Sequence, residues 1–384
     1  MGPNPPSILE PPSKLAESLS QKKIPSLDGL RAVAVSLVIL NHLETPYIPQ
    51  GRGVLTFFVL SGFLITWVML KELEKYDGVS VRDFYVRRVL RIFPAFYLYL
   101  GLQFGSELLL RGWPQATVVR DYLSAFTYTS NFRHALMPRM TVGCAQTWAL
   151  AIEEQFYLLW PWFFVAFQRD LRKLTSRLIA MIVVVDIYRL VLMLELHAPS
   201  YRLNFAFDTR VDHLLMGCLL AVLIKRGVLT RFWNFLTART WLSLAPLSLI
   251  VLSCAMEFRY PYAYRFGIGF MVDPLLTAIL IVQVVAMGNT WLWGWLNWRA
   301  VRYLGRISYG MFLYHLTAKS IVMEQLGLHS LRFAIPAVFL GTVMLGALSF
   351  HVVELRFLRL KSKFSGYPAD RRVAVMAPSS QFAA

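Results

Sequence analysis

A polytopic all-α membrane protein with about ten transmembrane helices is the fold class this sequence predicts, and three observations carry that expectation. Of its 384 residues, 57% are hydrophobic, 14% are aromatic and only 16% are charged, a balance too apolar for an ordinary soluble enzyme. Apolar stretches of about 17 to 25 residues recur along the whole length, the size needed to cross a hydrocarbon core. The basic residues fall mainly in one of the two alternating sets of connecting segments, as they do in membrane proteins. Lipid offers no partner for backbone groups, so every crossing is expected to be helical.

The first 23 residues, MGPNPPSILEPPSKLAESLSQKK, are Pro- and Ser-rich and lack an apolar core. They read as a disordered cytoplasmic lead and not as a cleaved signal peptide. A membrane domain follows over 24–357, with spans at about 30–46, 53–71, 92–110, 147–167, 177–197, 208–224, 241–258, 265–287, 301–323 and 332–354. Polar residues interrupt the first and the sixth. The longest outer segment, 111–146, carries Trp113, Tyr122, Phe126, Tyr128 and Phe132 and is expected in the interface or over an outer cavity. Residues 358–384 read as a cytoplasmic tail without a lipidation or retention motif. No internal repeat is visible.

The net charge of +17 invites a nucleic-acid reading, which the placement of the charge argues against. With both termini inside, about 27 basic residues face the cytoplasm and about 10 face out. Basicity here reports topology, and no nucleic-acid partner is expected. Cys144, Cys218 and Cys254 are widely spaced and form no CxxC pair, so neither a disulfide framework nor a metal site is expected. Cys144 falls near the predicted outer surface, and the other two read as apolar filler.

Polar residues within the spans carry the functional reading, because ionisable groups are costly there. In LDGLRAVAVSLVILNHLE, Arg31 and His42 are eleven residues apart, which places them on one helix face about 16 Å apart in rise. Asp28 lies one turn before Arg31, where an ion pair is the plain alternative to a functional role. Imidazole titrates near neutrality and suits general-base work. Before the third span stand Arg82, Arg87, Arg88 and Arg91, and Arg88 and Arg91 are neighbours at i, i+3. Such guanidinium forks suit a phosphorylated cytoplasmic ligand, although lipid phosphates are an equal claimant. The fourth span holds Glu153, Glu154 and Gln155, with Tyr157 one turn after Glu153; two adjacent carboxylates there need a partner or a proton. Asp186 and Arg189 read as an internal ion pair. Arg210, Asp212 and His213 head the sixth span; Ser308, Tyr309, Tyr314, His315 and Lys319 lie in the ninth; Glu354 closes the tenth.

In order, IPSLDGLRAVAVSLVILNH, FFVLSGFLIT, RRVLRIFPAFYL, TWALAIEEQFYLLWP, RVDHLLMGCLLA and ISYGMFLYH resemble the membrane acyltransferase-3 family over about residues 24–357. That family includes O-acetyltransferases of surface polysaccharides and macrolide acyltransferases. The resemblance implies an enzyme of a bacterial cytoplasmic membrane that moves an acyl group, most often acetyl, from cytoplasmic acyl-CoA to a hydroxyl of a carbohydrate-like acceptor. It makes His42 the catalytic histidine, Arg31 its motif partner, Arg88 and Arg91 the acyl-CoA pair, and Glu153 the acidic residue of WxLxxExQFY. Asp28, Tyr157, Arg210, Asp212, Tyr309 and His315 are expected in support. Acyl-CoA is then a co-substrate, and no cofactor or metal is bound permanently. Many members append an extracellular hydrolase-like domain; this chain has no room for one, so its membrane domain is expected to be the whole catalyst.

A neutral His42 would act as base for the acceptor hydroxyl or take the acyl group itself. Glu153 is expected to hold or polarise His42, and Arg31 to neutralise phosphate or Asp28. The rival class is a proton-coupled transporter, where buried His, Glu and Arg are equally normal. Matched broken helices of the kind transporters use are not found. A non-catalytic scaffold is the third reading. Acceptor, acyl length and oligomeric state are not written in the sequence.

Overall fold

The computed structural model describes residues 14–21, 23–43, 45, 49–137 and 140–361; residues 1–13 and 362–384 of the expected lead and tail lie outside the described residues. Among the described residues every regular element is a helix. The first is α1 (Lys14–Ser20), followed by α2 (Pro25–His42), α3 (Arg52–Tyr76) and α4 (Val81–Arg111). The 111–146 segment folds as α5 (Ala116–Phe126), α6 (Ser130–Leu136) and a single 3-10 turn at Val142–Cys144. Next come α7 (Thr147–Phe167), α8 (Leu171–Leu194), the short α9 (Ser200–Phe205), α10 (Val211–Lys225) and α11 (Thr230–Ala238). The chain ends with α12 (Leu244–Arg259), α13 (Phe270–Ala286), α14 (Arg299–Arg306), α15 (Ser308–Ser320), α16 (Leu331–Ser349) and α17 (Leu355–Lys361).

Local chemistry sets several of these boundaries. Pro25 opens α2, where its fixed φ suits the first turn and its missing N–H costs nothing. Ser80 caps α4 by accepting from the Asp83 amide at 3.2 Å, and Asp83 adds charge to the positive helix end. Asp170 caps α8 through the Arg172 and Lys173 amides, both at 3.0 Å.

Among the described residues, four helices are long and apolar enough to cross a membrane, Arg52–Tyr76, Thr240–Arg259, Arg265–Ala286 and Leu331–Leu360; the count reaches six if two sharply bent helix pairs each form one span. The other expected spans are short, as in α10 and α15, or interrupted by charge, as in α2 and α4. Apolar side chains face outward on α8 (Val184, Ile187), α12 (Val251, Leu252) and α16 (Leu340, Met344). A surface of that kind is suited to lipid and would be costly in water. The core runs through α3 and α10, where Gly62 and Gly217 let the two backbones touch. A Cβ on Gly62 would collide with the Leu214 carbonyl, and one on Gly217 with the Val59 carbonyl.

Two expectations change. Part of the lead taken as disordered is the helix α1, whose Leu15 and Leu19 are buried, and the Lys71 ammonium donates to the Leu19 carbonyl at 2.6 Å. The cause is an apolar i, i+4 pair that the Pro/Ser-rich average hides. Cys144 is fully buried instead of lying near a surface, because its turn packs against α4, α5 and α15. Its neighbour Gly143 accepts from the Tyr99 hydroxyl at 3.0 Å.

Candidate active site

The N-terminal half of α2, the middle of α3 and the first turns of α4 enclose a vestibule of about 740 Å³, closed further by α14 and the π-helical segment Phe350–Glu354. Arg31, Arg88 and Arg91 line it beside Asp28, Ser61 and Glu354. The Arg31 guanidinium sits 3.8 Å from the Asp28 carboxylate, so that ion pair forms, but loosely. Arg88 lies over the Tyr157 ring at 4.6 Å and the Phe84 ring at 5.6 Å. Arg87 also lines the vestibule but is bound to Glu72 at 2.8 Å. Of the three arginines of the basic run that line the vestibule, Arg87 is paired with a carboxylate, whereas among the described residues Arg88 and Arg91 are not.

Arg31, Ser61, Arg88 and Arg91 also line a second, narrower chamber of about 90 Å³, which continues inward past Glu153, Tyr157 and Tyr309 to Phe57 and Phe312. Ser61 joins its walls. Its hydroxyl donates to Glu153 Oε1 at 2.9 Å and meets the Tyr157 hydroxyl at 2.7 Å. A hydroxyl has one hydrogen, so with Ser61 donating to Glu153 the order is Tyr157 to Ser61 to Glu153. The Tyr309 hydroxyl donates to the Ile92 carbonyl at 3.0 Å and fixes α15 against α4. Gln155 is structural: it exchanges hydrogen bonds with Asn131 at 2.8 and 3.2 Å and donates to the Tyr128 carbonyl at 2.8 Å.

His42 stands at the far end of α2 and meets His315 from α15, ring centroids 4.7 Å apart at 61°. His42 Nδ1 lies 2.9 Å from the Val38 carbonyl, and His315 Nδ1 lies 2.7 Å from the Phe312 carbonyl. A carbonyl only accepts, so in both neutral rings Nδ1 carries the hydrogen and Nε2 keeps its lone pair. Lys319, one turn beyond His315, donates to the His42 carbonyl at 2.7 Å and holds the two helix ends together. Phe312 lines the narrow chamber, lies 5.7 Å from the His315 ring and 6.2 Å from Phe57. An aromatic wall thus adjoins both the chamber and the imidazoles.

The expected contact between Glu153 and His42 does not form. Glu153 is held by Ser61 beside Arg31, Arg88 and Arg91, at the opposite end of α2 from the histidine. The helical rise of about 16 Å between Arg31 and His42 separates the two. Arg210 and Asp212 gather elsewhere. Asp212 binds Arg189 at 2.8 Å and His213 at 3.0 Å, while Asp186 forms the expected pair with Arg189. The buried Arg210 guanidinium makes no hydrogen bond and lies between Phe270 at 4.2 Å, Phe58 at 5.7 Å and Trp148 at 5.9 Å. Among the described residues no group of three or more His, Cys, Asp or Glu is placed to hold a metal ion.

Sequence reasoning missed Ser61, one hydroxyl in an apolar run with nothing to distinguish it. It also missed a buried network in which Arg52 binds Asp273 and, at 2.7 Å, Glu257, and Arg265 binds Glu257 at 3.2 Å and Asn204 at 2.7 Å. Arg52, Glu257 and Arg265 sit at span ends, where charge is expected anyway.

A helical membrane protein with a cationic vestibule leading toward a half-buried histidine packed on a buried one is the class that fold and site define. Residues 24–352 match the acyltransferase domain family, and the chain belongs to that family. It is 34% identical over 357 residues to "Putative peptidoglycan O-acetyltransferase YrhL" of Bacillus subtilis (strain 168), covering 86% of this chain and 54% of that protein. It is 30% identical over 320 residues to peptidoglycan O-acetyltransferase OatA of Listeria monocytogenes serovar 1/2a, covering 77% of this chain and 49% of that one. The chain thus spans about half the length of these curated relatives. No solved structure matches it.

Proposed function

We propose that this protein is an integral-membrane O-acyltransferase with ten crossings and both termini in the cytoplasm. It takes an acyl group, acetyl foremost, from cytoplasmic acyl-CoA and delivers it to a hydroxyl of a carbohydrate acceptor. The names of the two relatives point to peptidoglycan as that acceptor. Family membership disfavours the transporter reading.

The observation that carries the proposal is the run of α2, with Arg31 in the vestibule and His42 at its other end beyond the narrow chamber. Acyl-CoA is a bulky anionic nucleotide on a thin, uncharged arm. Its phosphates suit the roomy arginine-lined vestibule and its arm suits the narrow chamber. The thioester then comes up beneath Phe57 and Phe312, next to the imidazoles. His42 Nε2 removes the proton of the acceptor hydroxyl as that oxygen attacks the thioester carbonyl. The carbon–sulfur bond breaks, the ester forms, and the departing thiolate takes the proton back from the imidazolium. The Nδ1–Val38 bond holds the ring in the tautomer this step requires.

Inverted membrane vesicles given labelled acetyl-CoA on the exposed cytoplasmic face test the reading. Label is expected in glycan from the wild type, and His42→Ala is expected to lower transfer by about 10² to 10⁴-fold at equal protein level. Transfer at the wild-type rate by His42→Ala would remove the histidine from the chemistry. Label trapped on His42 after an acid quench would replace direct transfer with a covalent acyl-imidazole route.

A further inference from the structure

The vestibule holds more cation than one phosphate group requires: besides Lys23, Lys71, which donates to the Leu19 carbonyl, and Arg87, bound to Glu72, it is lined by two sets of arginines. Arg31, Arg88 and Arg91 form the first and lie close enough to repel one another directly. The second is Arg302 and Arg306, one turn apart on α14, lining the same vestibule. Neither has a carboxylate partner among the described residues, and the Arg306 guanidinium rests 5.7 Å from the Phe350 ring. The two carboxylates that line the cavity act on the first set: Asp28 lies 3.8 Å from Arg31, and Glu354, which accepts from Ser349 at 3.4 Å, interacts with Arg91. The position of α14 is fixed by the backbone, because a Cβ on Gly305 would collide with the Asp28 carbonyl. Gly305 lies between the two arginines, so this seam with α2 sets where both emerge.

Acyl-CoA carries two separate phosphate groups, a diphosphate next to the pantetheine arm and a monoester on the ribose 3′ oxygen. We propose that Arg302 and Arg306 seat the ribose 3′-phosphate, while Arg31, Arg88 and Arg91 seat the diphosphate. This rests on acyl-CoA being the donor. A phosphomonoester dianion offers three oxygens, enough to meet two guanidinium forks at once. The set that lines both cavities lies where the arm must enter, which puts the diphosphate there. The α14 set lines the vestibule alone, on the side left for the adenosine end. Lipid phosphate shares part of this chemistry, but as a diester with one negative charge.

The test compares CoA with 3′-dephospho-CoA binding to the detergent-purified protein. Wild type is expected to prefer CoA by roughly tenfold or more, as losing a charge-assisted contact commonly costs. Arg302→Ala with Arg306→Ala is expected to bind both equally, at the wild-type affinity for dephospho-CoA. The double lysine variant is expected to keep part of the preference, which separates lost charge from lost fold. A preference unchanged in the alanine variant overturns the proposal, as does loss of lipid-dependent stability with the CoA preference intact, which would assign the pair to bilayer phosphates. If the wild type binds neither ligand, the donor reading itself fails; if it binds both alike, only the 3′-phosphate seat does.

Discussion

The half-buried Arg31, Arg88 and Arg91 of the vestibule and the more deeply buried Arg52 and Arg265 where α3, α12 and α13 meet are neutralised in opposite ways. Arg52 and Arg265 are tied to Glu257, Asp273 and Asn204. Arg88 and Arg91 have no carboxylate within salt-bridge distance among the described residues, and they border a cavity of about 740 Å³. A buried cation is costly unless something neutralises it. In one region the protein supplies the counter-charge. In the other the arrangement leaves it for a ligand, and that difference separates structure from site among residues of the same type.

The largest effect is expected where the pairing is internal. Arg52→Ala would leave Glu257 and Asp273 as carboxylates without their nearest partner, a loss of about 3–5 kcal/mol for a buried pair broken on one side. A marked fall in thermal unfolding temperature in detergent, with little folded protein recovered, is the expected result. A stable Arg52→Ala protein would show that this network is not what holds α3, α12 and α13 together.

The opposite signature is expected in the vestibule. Arg88→Ala with Arg91→Ala removes mutual repulsion along with the ligand contacts, so thermal stability should hold or rise slightly. Acyl-CoA affinity should fall by roughly a hundredfold, the sum of two charge-assisted contacts. Isothermal titration beside a melting curve reads both quantities. Unchanged affinity with lost stability would make the two regions alike and end the contrast.

How far the sequence disclosed this division depends on spacing. Arg31 and His42 lie on one helix, and Arg88 and Arg91 one turn apart, so local periodicity placed them correctly without a partner in view. Arg87 looked equivalent to its neighbours until α3 brought Glu72 against it. Glu153 was assigned to His42 because both are ionisable and intramembrane. Which end of α2 it meets is decided by the packing of α7 against α3, a tertiary fact that no window of sequence contains. Arg302 and Arg306 read as ordinary inner-loop charge, and only the glycine seam between α14 and α2 aims them into the vestibule. The all-helical class was plain from composition, whereas α1 and the buried position of Cys144 depended on local patterns that averages conceal.

The smallest effect probes the hinge between the two cavities. Ser61 bonds both Glu153 and Tyr157, so Ser61→Ala forfeits about 1 kcal/mol of net hydrogen bonding and leaves the carboxylate with one donor fewer. If the chain of Tyr157, Ser61 and Glu153 shapes the passage for the arm, Ser61→Ala and Glu153→Gln should not be additive in kcat/KM. Residues in one hydrogen-bonded network show coupling of roughly 0.5–3 kcal/mol in a double-mutant cycle. The expected outcome is coupling in that range with thermal stability nearly unchanged by Ser61→Ala. Additive effects on kcat/KM would detach Ser61 from the passage and leave it as a packing residue of α3, on the structural side of the comparison.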